Sequence, residues 1–446
     1  MQSKWIALIG FLAVLLLLVA SAVSRAAGGV YDAYLPVVVH GGPWWQEVGA
    51  GSASGGGISN TPVESSDPSI AIAPDGTPYV AWQDGGGEAQ IYVKRWNGQT
   101  WEEVGSGSAS GGGISNTNGL SQRPSIAIAP DGKPYVTWDY FNPYEGSTEI
   151  YVRMWDGQDW VEVGEGSASG GGISNTFSES SFSPVIAIAP DGTPYVAWSD
   201  YSDSGYGYQI YVRAWNGSSW GEVGNGSASG GGISNTTDYS TNPSIAISLD
   251  GTPYVVWEEG QYRIYVRYWD GNTWAEVGAG SASGGGVNNE ILMSRDPTIA
   301  VAPDGTPYVG WGVSYYSPYP MESFSQIYVR AWDGATWAEV GTGSASGGGI
   351  SNNLGTSILP SIAISQDGTP FVSWSDSTGG ALDIFVRSWS GNAWEEVGAG
   401  SASGGGISRT YSSVSNSSIT IAPDGTPYVV WEASAYSEIY IRRYIE

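Results

Sequence analysis

Ser69–Trp82 reads SIAIAPDGTPYVAW, and Ile91–Gly105 reads IYVKRWNGQTWEEVG. Each stretch is two β-rich runs around a turn. In the first, Pro74 presets φ and Gly76 supplies the positive φ that closes a hairpin. In the second, Asn97-Gly98 between apolar runs is a strong short-range hairpin signal. Together they make a four-stranded antiparallel unit. Its landmarks recur seven times: W-x-E-V-G at Trp45, Trp101, Trp160, Trp220, Trp274, Trp337 and Trp394, the DG turn from Asp75 to Asp424, and I-[YF]-[VI]-[KR] from Ile91 to Ile439. The tryptophans are 54 residues (Trp220 to Trp274) to 63 residues (Trp274 to Trp337) apart. A period of this length means a propeller, a solenoid or an array.

Seven four-stranded units with no helical periodicity after the leader predict an all-β, seven-bladed β-propeller. The first unit opens on a lone WWQEVG (Trp44–Gly49), and the chain ends on IYIRRYIE without a following W-x-E-V-G. The first strand is therefore expected to complete the last blade, which removes the sheet edge an open array would expose. The recurrent GSASGGGISN (Gly51–Asn60 in its first copy) then carries the chain from the outer strand of one blade to the inner strand of the next. Small residues suit a crossing pressed onto packed sheets. The basic residue of strand three and the glutamate of W-x-E-V-G keep a nine-residue offset, as in Lys94 and Glu103 or Arg153 and Glu162, which predicts cross-strand ion pairs.

Composition sets limits on function. The 446 residues include 67 Gly and, with 22 Trp and 28 Tyr, many turns and rings at once, so the chain folds. A formal charge of −27 and a pI near 4.1 exclude a phosphate-neutralising surface, so neither nucleic acid nor an anionic membrane is an expected partner. There is no Cys and a single His, His40, so thiol, HExxH and Ser-His-Asp chemistries are excluded. Lys4, the apolar run Ile6–Ala20 and the small-x-small Ala20-Ser21-Ala22 read as an export signal over 1–26. A linker, 27–43, and the propeller, 44–446, follow. The mature protein is expected outside the cell or on its surface, monomeric and not inserted in a membrane.

Any ligand site is expected on the face carrying the crossing and the loop between strands two and three, because that loop varies most, from EEGQYR (Glu258–Arg263) to GVSYYSPYPMESFSQ (Gly312–Gln326). Acids follow the second strand: Asp84, Asp139, Asp200, Glu258, Asp376 and Glu432. Aromatics follow them, Tyr140, Tyr201, Tyr208, Tyr315 and Tyr316 foremost, and Arg123 and Arg295 lie in the crossing segments. Carboxylates beside rings suit a neutral sugar, whose hydroxyls take hydrogen bonds and whose C–H face packs on π surfaces. Oxygen-rich loops also admit Ca²⁺.

The repeated unit from Trp45 to Glu446 resembles secreted bacterial seven-bladed propellers of the sialidase-like, Asp-box-bearing group. Its W-[DN]-G-x-x-W hairpins, as at Trp155–Trp160 and Trp332–Trp337, are similar to those of bacterial propeller lectins. YLPVV (Tyr34–Val38) looks like a motif that follows the signal in some secreted bacterial proteins. The resemblance implies the propeller and a glycan ligand. Its sialidase branch implies an arginine cluster, for which Arg123, Arg295 and Arg409 are the arginines of the crossing segments. Three functions stay open: a binding propeller for glycans, a sialidase-like glycoside hydrolase using loop carboxylates, and a structural surface protein without a small-molecule ligand.

Overall fold

The computed structural model of the chain describes residues 44–446 except 177–179, 203–206, 261–262, 290–291, 319–320, 410–412 and 434–436, with the side chains of 202, 316–318 and 321–323 also outside the description. The leader and linker, His40, and Tyr206, Tyr262, Tyr319 and Tyr436 therefore lie outside the described residues, as does the Tyr316 side chain.

Seven sheets of four antiparallel strands form the protein. Blade one comprises β2 (Ser65–Ile72), β3 (Pro78–Asp84), β4 (Gln90–Trp96) and β5 (Trp101–Glu103). The first strands of successive blades pack against one another around a closed ring, so they line the axis. β1 (Trp44–Glu47) pairs with the last strand of the chain, Glu438–Ile445, in the register Trp44↔Ile445 to Glu47↔Arg442. Blade seven is thus completed by the first strand, as the sequence predicts, and has four strands like the others.

Each blade buries one tryptophan completely: Trp82, Trp138, Trp198, Trp257, Trp311, Trp374 and Trp431. Their rings sit edge-on to the aromatic residue of strand three, as Trp82 does to Tyr92 at 5.9 Å. Outside them, the outer hairpin pairs Trp96 with Trp101 across a four-residue turn. Blades also lock onto one another through glycine: at Gly105, φ is +81°, and a Cβ would meet the Trp155 ring at 2.3 Å. Any side chain here would push the next blade away.

The predicted register of Lys94 with Glu103 is present in every blade, and in blade seven as Arg442 with Glu47. The predicted ion pairs are not. Each glutamate instead accepts two backbone N–H groups of the crossing that follows it, at 2.9–3.2 Å, from Gly51 and Ala53 for Glu47 through to Gly400 and Ala402 for Glu396. The bases reach crossing carbonyls: Lys94 Nζ donates to Ile58 O at 2.7 Å, and Arg153 Nη1 to Ile114 O at 2.8 Å. Buried N–H and C=O groups of a tight crossing need partners, and the charged side chains supply them.

The long segment of blade five is not a loop. Strands Pro307–Pro318 and Met321–Trp332 extend as one hairpin beyond the sheet.

Closure gives a direct test. Trp45 is buried, donates its indole N–H to Val397 O at 2.8 Å and packs on Tyr444. Trp45→Ala should cost about 3–5 kcal/mol in chemical denaturation, and deletion of Trp44–Glu47 should lower the melting midpoint at least as much. An unchanged midpoint for the deletion would contradict closure by this strand.

Candidate functional site

The acids singled out in the sequence fall at two positions of the second strand, and the pleat sends them to opposite faces. Asp84, Asp200 and Asp376 stand two residues beyond the buried tryptophan. There they are buried and accept its indole N–H, at 3.2, 2.8 and 2.9 Å. Each also accepts a serine hydroxyl from the inner strand, Ser65, Ser181 or Ser357, at 2.7 Å. In blade four the same position is Glu259, which binds Trp257 and Ser240. Burial raises the Asp200 carboxyl above the ordinary range, against the lowering effect of Ser181 and Trp198. Blades two, five and seven carry Tyr140, Val313 and Ala433 instead, and the indole N–H groups of Trp138, Trp311 and Trp431 have no partner.

Asp139, Glu258 and Glu432 stand one residue beyond the tryptophan and face the seam to the next blade. Each accepts a backbone N–H from the neighbouring inner strand: Ser183 N to Asp139 at 3.1 Å, Asp296 N to Glu258 at 2.6 Å and Asp67 N to Glu432 at 3.0 Å. Gln83 does the same for Arg123 N at 3.2 Å.

The receiving residues form a ring of their own. In every blade the inner strand slips register, as between Ser66 and Ser69. One residue there takes a left-handed conformation: Asp67, Arg123, Ser183, Asn242, Asp296, Leu359 and Asn416, all with φ between +49° and +54°. Six of the seven precede proline. Non-glycine residues adopt this conformation at a cost, and such outliers concentrate where a side chain must be aimed. Here the bulge lines the mouth of the axial channel, a cavity of about 340 Å³ on the long-loop face.

Charge is concentrated on one arc of that mouth. Arg123 Nε donates to Asp139 Oδ2 at 2.7 Å, and Asn416 Nδ2 to Asp67 Oδ1 at 3.2 Å. Burial, with Glu432 adding to it, pushes Asp67 up to about 6 against the pull of Arg123. Burial also lifts Asp139 to about 6, although Arg123 is bonded to it. On the far side Asp296 is raised to about 6 by burial and by Glu258, which also accepts from Asn242 Nδ2 at 3.1 Å.

A run of rings leads away from Arg123. Its guanidinium carbon lies 5.8 Å from the Phe182 ring centre. Phe182 meets Tyr208 edge-on at 4.7 Å, and Tyr208 meets Tyr201 at 5.3 Å and Tyr239 at 6.3 Å. Tyr201 is 45% and Tyr239 58% exposed. Tyr140 is instead buried, stacked on Tyr151 at 4.9 Å. Tyr315 stacks on Phe324 and its hydroxyl bonds that of Tyr328. The three crossing arginines occupy three different positions of the repeat: Arg123 at the bulge, Arg295 one residue before it, and Arg409 in the crossing, where other blades have the left-handed Asn60 or its equivalents. Of the three, only Arg123 lines the mouth.

The ring residues Asp67, Asn242, Asp296 and Asn416, and the platform residues Phe182 and Tyr239, were missed from the sequence. The signal was the residue before the recurrent inner-strand proline, as in D-P, R-P, S-P and N-P. Among the described residues no group of three or more His, Cys, Asp or Glu side chains is placed to hold a metal ion, which bears on Ca²⁺.

No protein-family model matches the chain, and no curated protein does. Solved structures similar to it include a protein of unknown function from Dyadobacter fermentans, 13% identical, with a TM-score of 0.47 over 73% of this chain and 94% of that one. Another is the GH93 α-L-arabinofuranosidase of Fusarium graminearum with arabinobiose, 12% identical, TM-score 0.47, over 86% and 93%. A third is the α-L-arabinanase of Penicillium chrysogenum complexed with arabinobiose, 16% identical, TM-score 0.44, over 75% and 94%.

The mouth carboxyls set a pH dependence. Asp67, Asp139 and Asp296 titrate near 6 when folded against an ordinary 3.8, and buried Glu149, raised chiefly by burial, near 7. The folded protein therefore binds more protons than the unfolded chain above about pH 4, and stability falls as pH rises to about 7. The crossing-loop glutamates Glu103, Glu162, Glu222, Glu276, Glu339 and Glu396 have the opposite sign. For Glu103, burial opposes ionisation, but Ser110 and the N–H groups of Gly107 and Ala109 together hold its carboxyl below the ordinary 4.5. The stability it contributes is lost as pH falls below that value. The melting midpoint should peak near about pH 5 and fall toward 7, and Asp67→Asn should flatten the fall by on the order of 1 kcal/mol. A midpoint that rises from pH 5 to 7 would contradict the assignment.

Proposed function

We propose that this is an exported, monomeric propeller that binds a neutral glycan at the channel mouth on its long-loop face. One observation carries the reading: the Arg123–Asp139 pair at the mouth is continuous with the rings of Phe182, Tyr208, Tyr201 and Tyr239. A sugar has the same two characters. Its hydroxyls both donate to carboxylates and accept from a guanidinium, and its C–H face packs on tyrosine. The cavity volume of about 340 Å³ lies within the range of small-ligand pockets, roughly 300–1,000 Å³. The charge of −27 and the two acids that line the mouth, Asp67 and Asp296, select against sulfated or uronic glycans.

A second reading, hydrolysis of the bound glycan, is favoured by Asp67 and Asp296, carboxyls raised to about 6 with Glu432 and Glu258 beside them. A carboxyl that keeps its proton near neutrality, close to another acid, is what general-acid cleavage of a glycosidic bond requires.

Both readings are tested on one panel of neutral and acidic oligosaccharides. Neutral members should bind, and heparin and polygalacturonate should not. Tyr201→Ala and Tyr208→Ala should each weaken binding about 5- to 10-fold, the worth of one ring contact of about 1–1.5 kcal/mol, with little change in melting midpoint for exposed Tyr201. Release of shorter sugars, lost in Asp67→Asn, would establish the hydrolase. Equal binding by both tyrosine variants would remove the platform from the site.

A further inference from the structure

We infer that the mouth takes the end of a glycan chain and not its middle, a conclusion that rests on the glycan reading above. The channel changes character along its length. At the mouth it is lined by Asp67, Arg123, Ser183, Asn242, Asp296 and Asn416, with Ser69, Ser125 and Ser417 just below. At the far end, on the DG-turn face, the lining is dominated by Ile72, Ile128, Ile188, Ile247, Ile364 and Ile421, with Ser248 and Gln366 the polar side chains among it. From Ser69 to Ile72 the strand rises only about 10 Å, so the polar part is shallow.

A sugar chain threaded through the axis would press its hydroxyls onto a ring of isoleucine side chains that offer no hydrogen bonds. Desolvated and unpaired hydroxyls are strongly disfavoured. The axis is therefore a blind site for a polar ligand, open on one face only. Entry across the rim is equally one-sided. The aromatic run leaves the mouth over blade three, toward Tyr201 and Tyr239. Blade six, on another part of the rim, presents Leu359 at the mouth and a fully exposed Leu354 above it. A chain can lie on the tyrosines and dip its last residue among the carboxylates, and among the described residues no second run of rings reaches a residue of the mouth.

The test is stoichiometry. The full chain is titrated calorimetrically with malto-, cello-, laminari-, xylo-, manno- and arabinohexaose and with the parent polymer of each. End recognition predicts one protein per polymer chain whatever the chain length. It also predicts that maltohexaose, if it is the binder, is not displaced by α-cyclodextrin, a ring without ends. Several proteins per polymer chain, or displacement by the ring, would overturn end recognition and leave glycan binding intact. Binding by none of the twelve probes would overturn both. Tyr201→Ala serves as the check on location: binding that survives it unchanged does not use this mouth, and end recognition there falls.

Discussion

The glutamate of W-x-E-V-G holds the propeller together at its least regular point. A crossing from the outer edge of one blade to the axis of the next must bury backbone polar groups outside any sheet. Two N–H groups of each crossing are received by one carboxylate, seven times over, from Glu47 to Glu396. The crossing then lies flat on strand three of its own blade, where Ile114 N donates to Ile91 O at 2.8 Å, and Lys94 or its equivalent ties it to the following blade. These contacts fix the step from blade to blade. The step fixes the packing of the inner strands, and that packing makes the channel. The channel mouth thus depends on charged residues far out on the rim.

This accounts for what could be read from the sequence. Turn chemistry and the spacing of three landmarks contain the blade, the count of seven and the closure by Trp44–Glu47, because each is local or a matter of order along the chain. The partners of Lys94 and Glu103 were not legible. Register places them side by side, but each half-buried group finds its partner in a crossing, backbone amides for Glu103 and the Ile58 carbonyl for Lys94. The site was legible as a face and not as a constellation. Acids after the second strand seemed one set, yet a single residue separates Asp84 from the position of Asp139, and the pleat turns that step into blade interior against seam. The bulge that aims Asp67 and Arg123 has no composition signal beyond the proline that follows.

The repeat and the site are complementary. Whatever is common to seven blades is used for structure: the buried tryptophan, the crossing, the outer hairpin. What differs includes the loop between strands two and three, the two positions after the tryptophan and the bulge residue, and of these the bulge residue lines the axis. Five kinds of side chain, Asp, Arg, Ser, Asn and Leu, on one repeated backbone position vary the rim of the channel without disturbing the frame. The rigid ring also preorganises that site, because each bulge is held by an N–H bond across its seam in at least four of the seven places.

The buried indoles show where stability has been given up. Four blades satisfy the tryptophan N–H with an acid two residues on. Blades two and seven do not; their acids, Asp139 and Glu432, stand one residue earlier and face the seams, where they accept the bulge N–H groups of Ser183 and Asp67. An unpaired buried N–H costs about 1–3 kcal/mol. Moving either carboxylate one residue on would restore that energy and take its charge from the seam, whereas blade four, with Glu258 and Glu259, carries both. Local rules broken without local compensation mark functional positions in otherwise consistent folds. By that criterion the arc Glu432–Asp67–Arg123–Asp139 is the centre of the site, and blade five, whose tryptophan also lacks a partner but whose seam residue is Gly312, lies at its edge.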